Sequence, residues 1–186
     1  KAYDTAATLK SVRHLIGPET LVVSIQNGLG NWEAIADQVG WQRTVGSRVI
    51  FGAEVTSPGT AKVTVYADKV LVGSPKQAIE PARLERLAAD FAQAGIPSEL
   101  SPLIERFIWR KVLYNASLNP LGAILNVPYG HLGSVPELRE TIRLIVSEIF
   151  AVAEKKGLTL PYASAEEYYR FLMDEQLPPT AAHRSS

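Results

Sequence analysis

Residues 20–30 constrain the fold of this chain more than any other part of the sequence. They begin with the apolar, β-branched run TLVVSI, which is typical of a strand buried on both faces of a parallel sheet. The run leads directly into the glycine-containing stretch QNGLG, and residues 32–39 then show helical spacing. Strand, glycine loop and helix together form the repeating unit of a doubly wound α/β sheet. We therefore predict a partial Rossmann-like fold for the first part of the chain.

The pattern of the chain changes twice after this unit. Residues 44–51, 61–67 and 69–73 are short β-rich runs, which predict an antiparallel extension of the sheet. Helical spacing follows over residues 80–94, and after Pro97 only helical patterns remain, among them a long helix over residues 136–156. We therefore predict an α/β domain over residues 1–98 and an all-helical domain over residues 99–186.

Composition excludes several classes of function. The net charge of the 186 residues is zero, so no basic field attracts nucleic acid or an anionic membrane, and no apolar run reaches the length of a membrane span. The chain has no cysteine, and its three histidines, His14, His131 and His183, are widely separated. These facts argue against disulfides and against a metal site.

The most informative polar residues lie in the apolar stretch WRKVLYNASLNPLGAILN, residues 109–126. Lys111, Asn115 and Asn119 are spaced four apart, so on a helix they form one polar stripe. A partly desolvated ammonium group can release a proton near neutral pH and can stabilise an oxyanion. Amide side chains one and two turns further along can bind the same substrate. An equally weighted alternative is a hydrogen-bonded set that only orders helix packing.

The glycine loop is a weaker signal. Gly28 and Gly30 would let the backbone approach a ligand, but Glu33 occupies the place of the third glycine in the dinucleotide fingerprint. A tight turn between strand and helix explains the same residues without any ligand.

These features together resemble the ketopantoate reductase (2-dehydropantoate 2-reductase) family. The matching segments, in family order, are Lys1-Ala2-Tyr3-Asp4, residues 26–30, Trp109-Arg110-Lys111, Asn115, Asn119-Pro120-Leu121 and Ser185-Ser186. The resemblance implies a cytoplasmic, NADP-dependent oxidoreductase that reduces 2-dehydropantoate to pantoate with NADPH, in pantothenate and coenzyme A biosynthesis. It also implies a helical domain like the C-terminal domain of 6-phosphogluconate dehydrogenase, through which a homodimer would form.

The resemblance also implies roles for individual residues. Lys111 corresponds to the catalytic lysine that donates a proton to the substrate carbonyl. The residues that would bind the 2-keto acid are Asn27, Lys111, Asn115, Asn119 and Ser186. The residues that would line the cofactor site are Lys1, Asn27, Gly28 and Gly52.

The chain departs from the family at three places. The first strand and GxGxxG loop of the family would precede Lys1, and a cofactor-contacting glutamate would follow Ser186, so we expect the chain to be a fragment. Tyr129 stands where some members have a substrate-contacting asparagine. Three alternatives follow: a reductase of another 2-keto acid, a non-catalytic dimerising module, and an acyl or amino-acid dehydrogenase of similar two-domain build.

Overall fold

The computed structural model describes residues 2–184. Contacts divide the chain into two compact units, Lys1–Ile108 and Trp109–Ser186. Among the described residues, no helix combines the length and the apolar character needed to cross a membrane. Each unit is built around its own core.

The first unit is an α/β structure. Its strands within the described residues are β1 (Val22–Ser24), β2 (Thr44–Arg48), β3 (Phe51–Ser57), β4 (Thr60–Tyr66), β5 (Val70–Gly73) and β6 (Ser98–Leu100). Its helices are α1 (Thr5–Ser11), α2 (Asn31–Val39), α3 (Pro81–Gln93) and the beginning of α4 (Ile104–Leu125). The first strand and helix α2 flank the glycine loop, as the sequence pattern predicts.

Four of the strands form one mixed sheet in the order β1-β2-β5-β6. β1 and β2 are parallel, β5 returns antiparallel to β2, and β6 is parallel to β5. The predicted Rossmann-like sheet with an antiparallel extension is therefore confirmed. β2 and β5 are buried at every position, because central strands of such a sheet are covered on both faces.

Two details of the sheet differ from the prediction. β3 and β4 do not extend the main sheet but pair with each other as a separate antiparallel hairpin. Register shifts at Gly52/Ala53 and Val55/Ser57 interrupt this hairpin, and bulges of this kind bend and twist strands. β6 was not predicted, because three residues are too few to show a strand period.

Helix α3 covers the sheet through an apolar stripe. Leu84 and Ala88, one turn apart, are buried against Val45, Val70 and Val72. Leu9 of α1 forms a second cluster with Ile35 and Val39 of α2. Burial of this apolar surface is the main source of stability for the unit.

The first turn of α4 is fixed to the sheet by polar and close-packed contacts. The Ser101 backbone N–H donates to the Val72 carbonyl at 2.8 Å, and the helix begins three residues later, at Ile104. Arg48, buried at the end of β2, pairs with Asp68 at 2.9 Å, and its guanidinium lies 5.6 Å from the centre of the Phe107 ring. This anchoring determines where α4 starts, about two turns before Lys111.

Gly73 in β5 lets the backbone at Ser101 and the start of α4 pack closely against the sheet. Its substitution tests this packing. A Cβ added at Gly73 would overlap the Ser101 carbonyl oxygen and lie 2.7 Å from the Ile104 Cβ. Because the first clash is with backbone, we expect Gly73→Ala to lower the free energy of unfolding by about 1–3 kcal/mol, measured by denaturant titration. Gly17→Ala is the matched control, since its added Cβ meets only Thr20 Oγ1 at 3.7 Å. Equal stability of the two variants would contradict the packing described here.

The second unit is helical throughout its described part. It contains the remainder of α4, then α5 (Tyr129–Ser134), α6 (Pro136–Lys155) and α7 (Ala165–Phe171), which continues into a π-helical turn, Leu172–Gln176. Its core is formed mainly by Trp109, Leu113, Leu118, Leu132, Ile142, Val146, Tyr168 and Leu172. The predicted all-helical character of this part is confirmed.

Candidate active site

The polar stripe predicted from the sequence lies on a continuous helix. Lys111, Asn115 and Asn119 all belong to α4 and are all partly buried. Their Cα atoms follow one another at about 6 Å, the rise of four helical residues. Side chains at this spacing stand above one another on one face, where they can contact a single small molecule.

Burial of the neighbouring residues shapes this stripe. Leu113, Ser117 and Leu118 are 0% exposed. The three polar residues, by contrast, lie at the border between the buried face of α4 and solvent. A charged group and a polar ligand interact more strongly at such a border than in bulk water, because the effective dielectric constant is lower there.

Asn119 is held by a residue from outside α4. The hydroxyl of Tyr129, the first residue of α5, donates to Asn119 Oδ1 at 2.6 Å. Tyr129 itself is 5% exposed. Its ring packs edge-on against the ring of the partly buried Tyr114, with 6.1 Å between the ring centroids. Burial raises the pKa of the Tyr114 hydroxyl above its ordinary value, so that group stays protonated across the physiological range. Two packed tyrosines therefore support the end of the stripe.

The glycine loop of the first unit follows the carboxyl end of β1. Gly28 and Gly30 adopt left-handed backbone conformations, with φ of +87° and +88°, which glycine accommodates without steric cost. A Cβ at either position would meet no atom of residues 2–184 within 4 Å, so this part of the chain leaves the space beside both glycines open. Loops at the carboxyl ends of parallel strands are the usual ligand-binding positions of this sheet type.

A buried polar cluster fixes the conformation of this loop. The Thr5 hydroxyl lies 3.0 Å from Gln26 Oε1 and 3.1 Å from Asn31 Oδ1. Asn31 Nδ2 donates to the Asn27 carbonyl oxygen at 3.1 Å. Asn27 itself is exposed, so the loop is held by its neighbours while the Asn27 residue remains at the surface.

The positions of the remaining predicted site residues do not indicate a ligand. Gly52 lies in β3 opposite Val65, and an added Cβ would lie 2.9 Å from Thr64 Oγ1, so the hairpin itself accounts for a glycine there. Its contact with a cofactor stays a prediction. Lys1 and Ser186 lie outside the described residues. In the described part of the chain, no group of three or more histidine, aspartate or glutamate side chains is arranged to hold a metal ion.

Sequence reasoning missed the partners that hold these side chains. The Asn27–Asn31 spacing of four residues is a local signal that could have indicated the bond across the loop. The Tyr129–Asn119 bond has no such signal, because it depends on how α5 returns toward α4.

Comparisons with known proteins identify the family. The model described as "Ketopantoate reductase PanE/ApbA" matches residues 1–77, and the model described as "Ketopantoate reductase PanE/ApbA C terminal" matches residues 103–186. A 2-dehydropantoate 2-reductase from Aquifex aeolicus (strain VF5) is 39% identical to the chain over 186 residues. The chain belongs to the ketopantoate reductase family. The resemblance inferred from the sequence is confirmed.

Solved structures support the same fold. A PanE/ApbA family ketopantoate reductase from Ralstonia eutropha JMP134 matches 99% of this chain with a TM-score of 0.83 and 26% identity. A D-mandelate dehydrogenase solved with NADH and anilino(oxo)acetate matches all of it with a TM-score of 0.81 and 24% identity. The chain spans 60% of the Aquifex relative, 57% of the Ralstonia chain and 59% of the D-mandelate dehydrogenase.

Proposed function

We propose that the protein reduces 2-dehydropantoate to pantoate, with NADPH as the source of hydride. The observation that carries the proposal is the stripe of Lys111, Asn115 and Asn119 along α4 in a chain of this family. We further propose that residues 1–98 belong to the dinucleotide-binding domain and residues 99–186 to the domain that binds substrate. Membership of the family and the 39% identity to the Aquifex aeolicus enzyme support both proposals.

The residues of the first unit fit a pyridine nucleotide. The open space beside Gly28 and Gly30 leaves room for a ligand next to the backbone. The fixed loop after β1 would place Asn27 toward such a ligand, with Gly28 and Gly52 as further proposed contacts. Bound there, the nicotinamide ring would supply the hydride that adds to the carbonyl carbon of the substrate.

The residues of α4 would perform the complementary half of the reaction. Reduction of a ketone needs a proton on the carbonyl oxygen as negative charge develops there. The ammonium group of Lys111 can first stabilise that charge and then donate the proton, leaving a neutral amine that regains a proton from solvent. Asn115 and Asn119 would hold the 2-keto acid in place through hydrogen bonds, so that its carbonyl faces Lys111.

A substrate panel tests the proposal. The whole protein is assayed for NADPH oxidation with 2-dehydropantoate, with its analogue lacking the 4-hydroxyl group, and with other 2-keto acids, and the same panel is repeated with NADH. We expect the highest kcat/KM for 2-dehydropantoate with NADPH. Absence of turnover with every 2-keto acid, together with a stable dimer, would instead support the non-catalytic dimerising module.

A second candidate is a reductase of another 2-keto acid on the same fold. One observation favours it, namely that the fold is shared with a D-mandelate dehydrogenase. The resemblance to the family also implies that Tyr129 fills a position where some members have an asparagine. A bulky aromatic residue beside the amides proposed to bind substrate changes the space available to the side chain of the 2-keto acid. A clear preference for a different 2-keto acid in the panel would establish this candidate.

Substitution of Asn119 tests the role of the amides. In the whole protein, Asn119→Ala should raise KM for the 2-keto acid about fivefold, because loss of one hydrogen bond between uncharged groups costs about 1 kcal/mol. The Kd of NADPH, measured by calorimetry, should not change. An unchanged KM together with a large fall in melting temperature would show that Asn119 only orders the packing of α4.

A further inference from the structure

Tyr129 is fixed in place by packing and by its backbone. Its ring is part of the buried core of the helical unit and stands edge-on to Tyr114, with an angle of 75° between the rings. Its backbone N–H donates to the His183 carbonyl at 2.9 Å, and the next N–H, of Gly130, donates to the Ala181 carbonyl at 2.9 Å. The start of α5 is therefore attached to residues 181–183, and the phenol ring has little freedom to move.

The Tyr129 hydroxyl determines the orientation of the Asn119 side-chain amide. An amide side chain accepts through its oxygen and donates through its nitrogen, and the two ends are nearly equal in size. Because the hydroxyl donates to Asn119 Oδ1 at 2.6 Å, the oxygen end is held toward Tyr129 and the nitrogen end is turned away from it. The bond is formed by a hydroxyl on a residue that is only 5% exposed, where water competes poorly.

The bond acts beside a break in the backbone hydrogen-bond ladder of α4. Pro120 lies inside the helix and has no N–H, so the carbonyl of Ala116 does not receive its usual backbone donor. Asn119, immediately before Pro120, therefore lies where the helical ladder is interrupted. A side-chain bond to α5 compensates for that local loss of constraint.

We propose that Tyr129 is a positioning residue for substrate binding, which acts by fixing the orientation of the Asn119 amide. The inference rests on the proposed function, since it assigns Asn119 to the 2-keto acid. A freely flipping amide could present either its oxygen or its nitrogen to the substrate. With its orientation fixed, the Asn119 amide presents one arrangement of donor and acceptor only. Tyr129 thus restricts which oxygen groups of a 2-keto acid can bind well beside Lys111.

A double-mutant cycle in the whole protein tests the proposal. KM and kcat for the 2-keto acid preferred by the wild type are measured for Tyr129→Phe, Asn119→Ala and the double variant, with NADPH saturating. Tyr114→Phe is the matched control, because it also removes a buried hydroxyl from a ring packed against Tyr129, but one that makes no bond to Asn119. Melting temperatures of all four variants are recorded, and we expect the Tyr129→Phe variant to keep its ring packed against Tyr114.

Tyr129→Phe should raise KM about three- to fivefold with kcat changed less than about twofold, as expected for loss of one neutral hydrogen bond. In the Asn119→Ala background the same substitution should have no further effect on KM, because the amide through which it acts is gone. Additive effects would mean that Tyr129 acts independently of Asn119 and would overturn the proposal, as would an unchanged KM in Tyr129→Phe. If the wild type reduces no 2-keto acid at all, the proposed function itself fails, and this inference fails with it.

Discussion

Replacing Lys111 with alanine in the whole protein is expected to lower kcat by about two to four orders of magnitude, the usual contribution of a positioned acid. The side chain lies on α4 one turn before Asn115 and two before Asn119, at the border of the helical core. Alanine keeps the helix, since it has the highest helix propensity, but removes the group proposed to donate the proton and to stabilise the oxyanion. Steady-state kinetics with NADPH and the preferred 2-keto acid measure the loss.

Two further variants separate catalysis from structure. Lys111→Arg should be nearly as damaging as alanine, because a guanidinium group keeps its proton at any working pH and has a different shape. Lys156→Ala, which removes an exposed lysine just after α6, should leave kcat unchanged. Melting temperatures should stay close to the wild type throughout. An alanine variant that unfolds while the arginine variant works normally would show that Lys111 is structural.

Truncating Leu118 should produce the largest loss of stability. This residue is 0% exposed, lies beside Asn119 in the sequence and packs in the core of the helical unit. Leu118→Ala removes buried apolar surface and leaves a cavity, which should lower the free energy of unfolding by about 2–5 kcal/mol. For a protein of this size, that corresponds to a fall in melting temperature of roughly 5–15 °C.

The matched control lies on the same helix. Ile124 is 79% exposed, so Ile124→Ala should change the free energy of unfolding by no more than about 0.5 kcal/mol. Both variants are compared by thermal denaturation of the whole protein. A loss at Ile124 as large as that at Leu118 would mean that α4 faces the core with a different side from the one described, and the position of the polar stripe would then be wrong as well.

The sequence predicted the elements whose signals are local. The buried run before Gly28 became β1, the helical spacing over residues 80–94 became α3, and that over residues 136–156 became α6. Each of these segments carries its own apolar pattern, and the burial seen in the structure follows that pattern. The change from α/β to helical structure was visible for the same reason.

The missed features depend on contacts between distant residues. β6 is three residues long and exists because it pairs with β5, where Ser98 lies opposite Val70. β3 and β4 form a separate hairpin, and the register shifts within it depend on pairing across the hairpin. Neither feature has a periodic signal within its own segment.

In the candidate site, too, local features were predicted and contacts between distant residues were not. Spacing alone placed Lys111, Asn115 and Asn119 on one face, because a single helix carries all three. The sequence did not indicate that Tyr129 binds Asn119, since ten residues and the turn into α5 separate them. It also did not indicate how Thr5 and Asn31 hold the glycine loop, because that cluster joins α1 to α2.

The most direct test of the account is the single-turnover rate of NADPH oxidation, measured with enzyme in excess over 2-dehydropantoate. This measurement isolates the chemical step from product release, which can limit kcat. We expect rapid oxidation in the wild type, with pantoate as product, and a rate lower by about two to four orders of magnitude in Lys111→Ala. An equal single-turnover rate in both proteins would contradict the assignment of Lys111 as the proton donor.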